Sequence, residues 1–220
     1  MSRSKYDLER PENYDTLLPL VIPRWEVFYE TVAGYIPSDS RRVLELGSGT
    51  GILTAMIREL VSGCDIICLD RNPEMLAVAR RKPALQGVTF VERDIMEKWP
   101  QGPFDAVVTT QCLFSFSSDQ RASIIAEAYR HLSDGGVFID GDLFHPGDPW
   151  EFAFYCSRLR EFICNNKLSE DIADKMLEPL EPMIRDHSVA GFRSILSSLC
   201  FTHTAVPYLN ELYGVVLGIR

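Results

Sequence analysis
The run Arg42-Val-Leu-Glu-Leu-Gly-Ser-Gly-Thr-Gly-Ile-Leu-Thr54 decides how the rest of the chain is read. Val43, Leu44 and Leu46 make an apolar run of strand length, Gly47, Gly49 and Gly51 follow at every second position, and Ile52 to Leu60 resumes a helical spacing. A strand, a glycine turn and a helix in succession bring a ligand against bare backbone, because a ligand approaches the main chain closely only where no Cβ intrudes, and tight turns often demand the positive φ that glycine takes freely. The helix that opens after the turn offers unpaired N–H groups and a partial positive charge, suited to a carboxylate or a polar nucleotide. Glu45 stands in an otherwise apolar strand, a costly place for a charge unless a polar or cationic ligand meets it. The dinucleotide fingerprint would put its third glycine at position 52, which is Ile52, so the spacing argues against NAD.

A chain of 220 residues is the size of one ordinary domain with room for a cap. With 31 acidic against 22 basic side chains its net charge is −9, and no Lys/Arg-rich block interrupts it. Such a chain repels phosphate backbones, so no nucleic-acid partner is expected and small neutral or cationic ligands fit better. The opening Met-Ser-Arg-Ser-Lys-Tyr-Asp lacks the apolar core of a signal peptide, and no apolar run approaches the roughly 20 residues of a membrane span. The expectation is a cytoplasmic protein with no membrane partner. Its six cysteines are scattered through apolar segments with no metal spacing, so buried free thiols are expected and no metal site.

Taken in order, residues 1–40 show helical periodicity through Tyr14, Leu17, Leu18 and Ile22, then Trp25, Phe28, Tyr29 and Val32. Pro23 divides the pattern into two short helices, which either fold over the ligand site as a lid or pack on the sheet. Cys64 to Leu69 reads as a second strand ending in Asp70, which lies 19 positions beyond Gly51. That is where a βαβ unit places the acid that accepts hydrogen bonds from ribose hydroxyls, although Asp70 could also cap the helix that begins near Pro73. Val88 to Val91 is a third strand, followed by Asp94 and Ile95, an acid able to meet an exocyclic amine and an apolar residue able to cover a flat ring. Phe104 to Thr110 is a fourth strand, Asp119 to Leu132 a helix stopped by Ser-Asp-Gly-Gly, and Val137 to Leu143 a fifth strand. Alternating strands and helices joined by short loops argue for an α/β fold with a parallel, doubly wound sheet and ligands at the strands' C-terminal ends.

The series Glu45-Leu-Gly-Ser-Gly-Thr-Gly51, Asp70-Arg-Asn-Pro-Glu-Met-Leu76, Arg93-Asp94-Ile95, Phe104-Asp-Ala-Val-Val108 and Leu132-Ser-Asp-Gly-Gly136 resembles the class I S-adenosylmethionine-dependent methyltransferases. The resemblance covers residues 40–144 and implies a Rossmann-like, seven-stranded, mostly parallel sheet that binds S-adenosyl-L-methionine. It also implies roles. The turn Gly47, Ser48, Gly49, Thr50 and Gly51, with Glu45, would hold the methionine end, and Asp70 the ribose hydroxyls. Arg71 would lie beside the adenine, with Asp94 and Ile95 at its amine and face, and the Thr110 carbonyl would receive the methionyl ammonium.

Past that core, Glu151 to Cys164, Leu168 to Leu180 and Val189 to Leu199 read as helices, and His203 to Pro207 and Tyr213 to Ile219 as a closing antiparallel pair. The expected organisation is a helical lid over 1–40, a cofactor-binding core over 41–144, a helical cap over 145–190 inserted before the last two strands, and a closing helix and strand pair over 191–220. The layout resembles both small-molecule methyltransferases and carboxy-S-adenosylmethionine synthases; the latter resemblance rests on Pro23-Arg24-Trp25, whose ring would lie at the cofactor's reactive end. In-line displacement onto a small-molecule acceptor is the expected reaction, with a base needed only if the nucleophile carries a proton. His145, three positions after Asp142, is the candidate for that proton; the plainer alternative is a hydrogen-bonded loop histidine. His131, His187 and His203 do not converge by sequence on a metal. Arg158 and Arg160 could clamp a substrate carboxylate or be solvated charges. A carboxy-cofactor synthase and a non-catalytic cofactor-binding subunit stay as rivals, and a homodimer is among the open assemblies.

Overall fold
Helices α1 (Pro11–Val21) and α2 (Trp25–Gly34) precede strand β1 (Arg42–Leu46) in the computed structural model, which describes residues 10–220; the opening heptad read for a leader lies outside them. There follow α3 (Ile52–Leu60), β2 (Asp65–Asp70), α4 (Pro73–Arg80), β3 (Thr89–Glu92), β4 (Phe104–Thr110), α5 (Ser118–His131) and β5 (Leu132–Leu143). Four helices, α6 (Pro149–Asn165), α7 (Glu170–Leu177), α8 (Leu180–Ile184) and α9 (Val189–Ser198), then lead to β6 (His203–Asn210) and β7 (Tyr213–Ile219). The strands form one seven-stranded sheet in the order β3-β2-β1-β4-β5-β7-β6, parallel except that β7 runs antiparallel to both its neighbours. The expected doubly wound α/β sheet with a closing antiparallel pair is therefore the observed one. Pro207 lies in β6, at the sheet edge, where a missing N–H costs no ladder bond, and the register there slips between Ala205 and Tyr208.

Alternation along the strands divides the core into two layers. Val43, Cys68, Ala106, Val108 and Ile139 face one cluster with α2, α3 and the cap helices, while Leu44, Leu69, Val107 and Phe138 face a second with α5 and α9. The two short N-terminal helices take different roles. Phe28 and Val32 of α2 pack on β5 so closely that a Cβ on Gly141 would meet Val32 Cγ2 at 2.6 Å and Phe28 Cζ at 3.1 Å. Helix α1 instead lies across the C-terminal ends of the strands, tied there by Asp15, which accepts from Thr50 Oγ1 at 2.5 Å and pairs with Lys82 Nζ at 2.5 Å.

Three local expectations change. The helix before β5 does not stop on Ser-Asp-Gly-Gly. Leu132 is already extended (φ −74°, ψ 150°) and pairs with Phe104, and Gly135 at φ +78° turns the strand instead of capping the helix. The helix read over Leu168 to Leu180 is α7, which ends at Leu177 short of Pro179, and the short helix α8 that follows from Leu180 was not expected. Helix α4 is capped by Asn72, whose side chain accepts from Glu74 and Met75 N–H, so Asp70 is left for other work.

Candidate active site
The glycine turn follows β1 and folds back on β2. Gly47, Gly49 and Gly51 all take left-handed angles (φ +66°, +53°, +80°), and the N–H groups of Gly47 and Ser48 both reach the Leu69 carbonyl. Side chains are excluded there on two sides: a Cβ on Gly47 would meet Cys112 Sγ at 2.6 Å, and one on Gly51 would meet Leu85 Cδ1 at 2.5 Å. At Gly49 nothing lies within 4 Å of such an atom, so its bare backbone faces open space. Asp70 spans that space from the end of β2. Its Oδ2 accepts from Gly49 N–H at 2.7 Å and its Oδ1 from Asn72 N–H at 2.8 Å, which fixes both carboxylate oxygens at the cavity wall.

The cavity bounded by these groups has a volume of about 260 Å³. Of the residues singled out in the sequence, Gly47, Gly49, Asp70, Arg71, Asp94, Ile95 and Thr110 line it together. Ser48 and Thr50 border a small adjoining recess that Thr110 shares. Asp94 is held by Met96 N–H at 2.9 Å and faces Arg71 across 3.7 Å, and Ile95 is buried beside them. Sequence reasoning missed Tyr14 of α1 and the stretch Gln111, Cys112, Ser115 and Phe116 after β4, which complete the wall. No local signal marks them, since α1 reaches the site only through the tertiary fold.

Four candidates stand elsewhere. Glu45 is buried behind the turn, its Oε2 accepting from Thr54 Oγ1 at 2.6 Å, and it touches neither cavity. Trp25 packs edge-on against Tyr29 with ring centroids 6.3 Å apart. His145 accepts from Gly147 N–H through Nδ1 at 3.0 Å and stacks on Phe152, the plainer of its two readings. Asp142 is fully buried, accepting from the N–H groups of Phe114 (2.8 Å) and Leu143 (2.9 Å), and thereby anchors the loop that carries Cys112 to Phe116. Arg158 pairs with Glu211, and Arg160 with Asp174 and Glu170; none of these five lines either cavity.

A second cavity of about 320 Å³ adjoins the first, between α1, α7, α8 and the ends of β4 and β5. Its walls are apolar and uncharged, with Leu17, Leu18 and Val21 on one side and Met176, Leu180 and Met183 on the other. Tyr14 and Gln111 belong to both cavities.

Beneath the loop after β4 lies a buried cluster that the sequence did not announce. Asp140, Asp142 and His187 bring their carboxylate and imidazole atoms within 4.8 Å of one another, beside the buried Arg121. Burial pushes Asp140 well above the carboxylate range and Asp142 to about 7, and lowers His187 to about 3. Burial thus favours the neutral form of all three groups, while Arg121 pairs with Asp186 at the edge of the cluster.

Burial also raises Glu45, to about 7 from 4.5, against the lowering effect of the Thr54 hydrogen bond. The folded chain therefore keeps a proton that the unfolded chain releases, so this contribution to stability is full below about pH 4.5 and is lost as pH rises through about 7. Glu45→Gln has no such proton. Thermal unfolding followed from about pH 5 to about pH 8 is expected to show a shallower fall of Tm in the variant, and equal slopes would refute the assignment.

Residues 43–136 match the methyltransferase domain family. Over 102 residues the chain is 38% identical to the demethylmenaquinone methyltransferase of Thermus thermophilus, covering 45% of this chain and 46% of that one. It is 28% identical over 152 residues to the cypemycin N-terminal methyltransferase of a Streptomyces species, covering 68% and 59%. The chain spans about half the length of these curated relatives. Its fold is similar to that of human N-acetylserotonin methyltransferase in complex with SAM, at a TM-score of 0.66, 18% identity, and coverage of 99% of this chain and 57% of that one. Among the described residues no helix is long and apolar enough to cross a membrane.

Proposed function
We propose that the chain is a class I S-adenosylmethionine-dependent methyltransferase that moves a methyl group from S-adenosyl-L-methionine to a small, largely apolar acceptor, a reading supported by the methyltransferase-domain match and the methyltransferase relatives. The observation that carries this reading is the pair of adjoining cavities, one walled by the glycine turn and acids, the other by Leu and Met side chains. The residues present fit the cofactor: Gly49 faces open space where a Cβ would project, and the Asp70 carboxylate stands at the same wall. Gly47 to Gly51 would hold the amino-acid end, Asp70 the ribose hydroxyls, and Asp94 with Ile95 the adenine. The Thr110 carbonyl, at the end of β4, would accept from the ammonium.

When bound, the sulfonium supplies a methyl that is already electrophilic. The protein's part is then to align the acceptor behind it and to keep water out, which the apolar walls do. His145 and Asp142 stand off both cavities, so proton removal is assigned to neither of them. All six cysteines are unpaired, which supports a reducing, cytoplasmic setting. The carboxy-cofactor reading would need Trp25 and Arg158 to form a cationic pocket, and both are engaged elsewhere.

Calorimetric titration with S-adenosylhomocysteine is expected to show one saturable site, and mass analysis of ligand retained on purification a methyl sulfonium. Absence of binding would overturn the proposal, and a carboxymethyl sulfonium would replace it with the synthase.

A further inference from the structure
We propose that Gln111 orients the acceptor, its side-chain amide meeting a hydroxyl oxygen on an otherwise apolar, uncharged molecule held between α1 and the helix pair α7 and α8. The inference rests on the methyl-transfer reading, which makes that molecule the acceptor.

The shape of the second cavity sets the chemical class. Among its twelve lining residues none is charged, and polar side-chain atoms come only from Tyr14, Gln111 and Tyr213. The Tyr213 hydroxyl is turned to the Val21 carbonyl at 3.5 Å. An ion entering such walls would lose its hydration without a counter-charge, whereas an apolar body is favoured. Met176 and Met183, flexible and polarizable, allow the walls to follow its contour.

Gln111 is set apart by three independent features. It and Tyr14 are the residues common to both cavities, so they stand where the two adjoin. Its backbone stands at φ +51°, a conformation rarely adopted by a residue with a side chain, and is held there by its N–H donating to the Gly141 carbonyl at 2.9 Å. Its Nε2 is buried with no hydrogen-bond partner. A buried donor left unmade is costly, and an acceptor oxygen arriving in the cavity would satisfy it. A hydroxyl suits either end of the amide, because it both donates and accepts. Tyr14, the other residue common to both cavities, brings a second hydroxyl to the same wall.

A matched pair of probes isolates the single contact. With the protein saturated in S-adenosylhomocysteine, 4-hexylphenol and hexylbenzene are titrated by calorimetry or by competition. The wild type is expected to bind the phenol about tenfold more tightly, the worth of one buried hydrogen bond. Gln111→Met, of similar length but without the amide, is expected to bring the two within about twofold while still unfolding cooperatively. Gln111→Asn, which tolerates the left-handed backbone, serves if the Met variant does not fold, and its shortened amide is expected to lose most of the preference. Equal binding of the pair by the wild type, binding of neither, or a preference that survives in the variants would overturn the assignment. Failure of S-adenosylhomocysteine to bind would instead sink the methyl-transfer reading, and the same pair titrated into the free protein would still decide the role of Gln111.

Discussion

Asp70→Ala is expected to weaken binding of S-adenosylhomocysteine by about 30-fold or more, since each hydrogen bond to a charged carboxylate contributes roughly 1.5–3 kcal/mol. The carboxylate has two tasks. In the proposed complex it would receive the ribose hydroxyls; in the protein itself it already holds Gly49 N–H at 2.7 Å and Asn72 N–H at 2.8 Å, fixing the turn over the cavity. Loss of the side chain therefore removes ligand contacts and also loosens the cradle that presents them. Asp70→Asn keeps one carbonyl oxygen but turns an NH₂ towards one of those donors, so it should fall between the wild type and the alanine variant. Calorimetry giving the alanine variant an unchanged affinity would take Asp70 out of the site.

The largest effect on stability is expected at Arg121. This side chain, 1% exposed on α5, donates to the carbonyls of Phe116 and Asp186 and to the Asp186 carboxylate at 2.6 Å, and it lies beside Asp140 and Asp142. Arg121→Met would fill much of the same volume while taking the guanidinium away from the Phe116 and Asp186 carbonyls and from the solvent-facing Asp186 carboxylate. Breaking a fully buried ion pair typically costs about 3–5 kcal/mol, and because the Asp186 carboxylate is 56% exposed and can turn to water, the expected loss is smaller, about 2–3 kcal/mol. Urea denaturation should show a lower midpoint with little change in slope, and cofactor affinity should fall too, because Phe116 lines the cavity. A loss under about 1 kcal/mol would mean that water or relaxation replaces the guanidinium.

What could be read in the sequence was local. Helix α3 over Ile52–Leu60 and strand β4 over Phe104–Thr110 follow from runs whose period and flanking turns agree, and the left-handed glycines follow from their spacing. Seven of the expected cofactor residues gather in one cavity because each sits at the end of a strand or its following turn, a position that the βαβ plan fixes. Misreadings arise where two signals compete. Ser133 to Gly136 has helix-stop composition, yet β-pairing of Leu132 with Phe104 wins, and the glycine serves the strand. Asp70 and Asn72 are both good caps, and the nearer one takes the helix. Gln111, Arg121 and His187 were invisible for a different reason: their partners lie far along the chain, as with Arg121 and Asp186 across 65 positions. Glu45, an acid in an apolar strand, finds a buried neighbour in Thr54, nine positions along the chain.

The seating of α2 on Gly141 has a consequence for how the molecule comes into being. Residues near the start of the chain find their resting place only against β5, and the Tyr213 hydroxyl reaches the Val21 carbonyl across 192 positions. Closing so long a loop is entropically slow, so the front wall of the apolar chamber sets late, after the sheet behind it has zipped. During synthesis the lining of the first chamber is complete once Phe116 has emerged, whereas the apolar chamber cannot exist until the ribosome has released Tyr213, nearly the whole polypeptide.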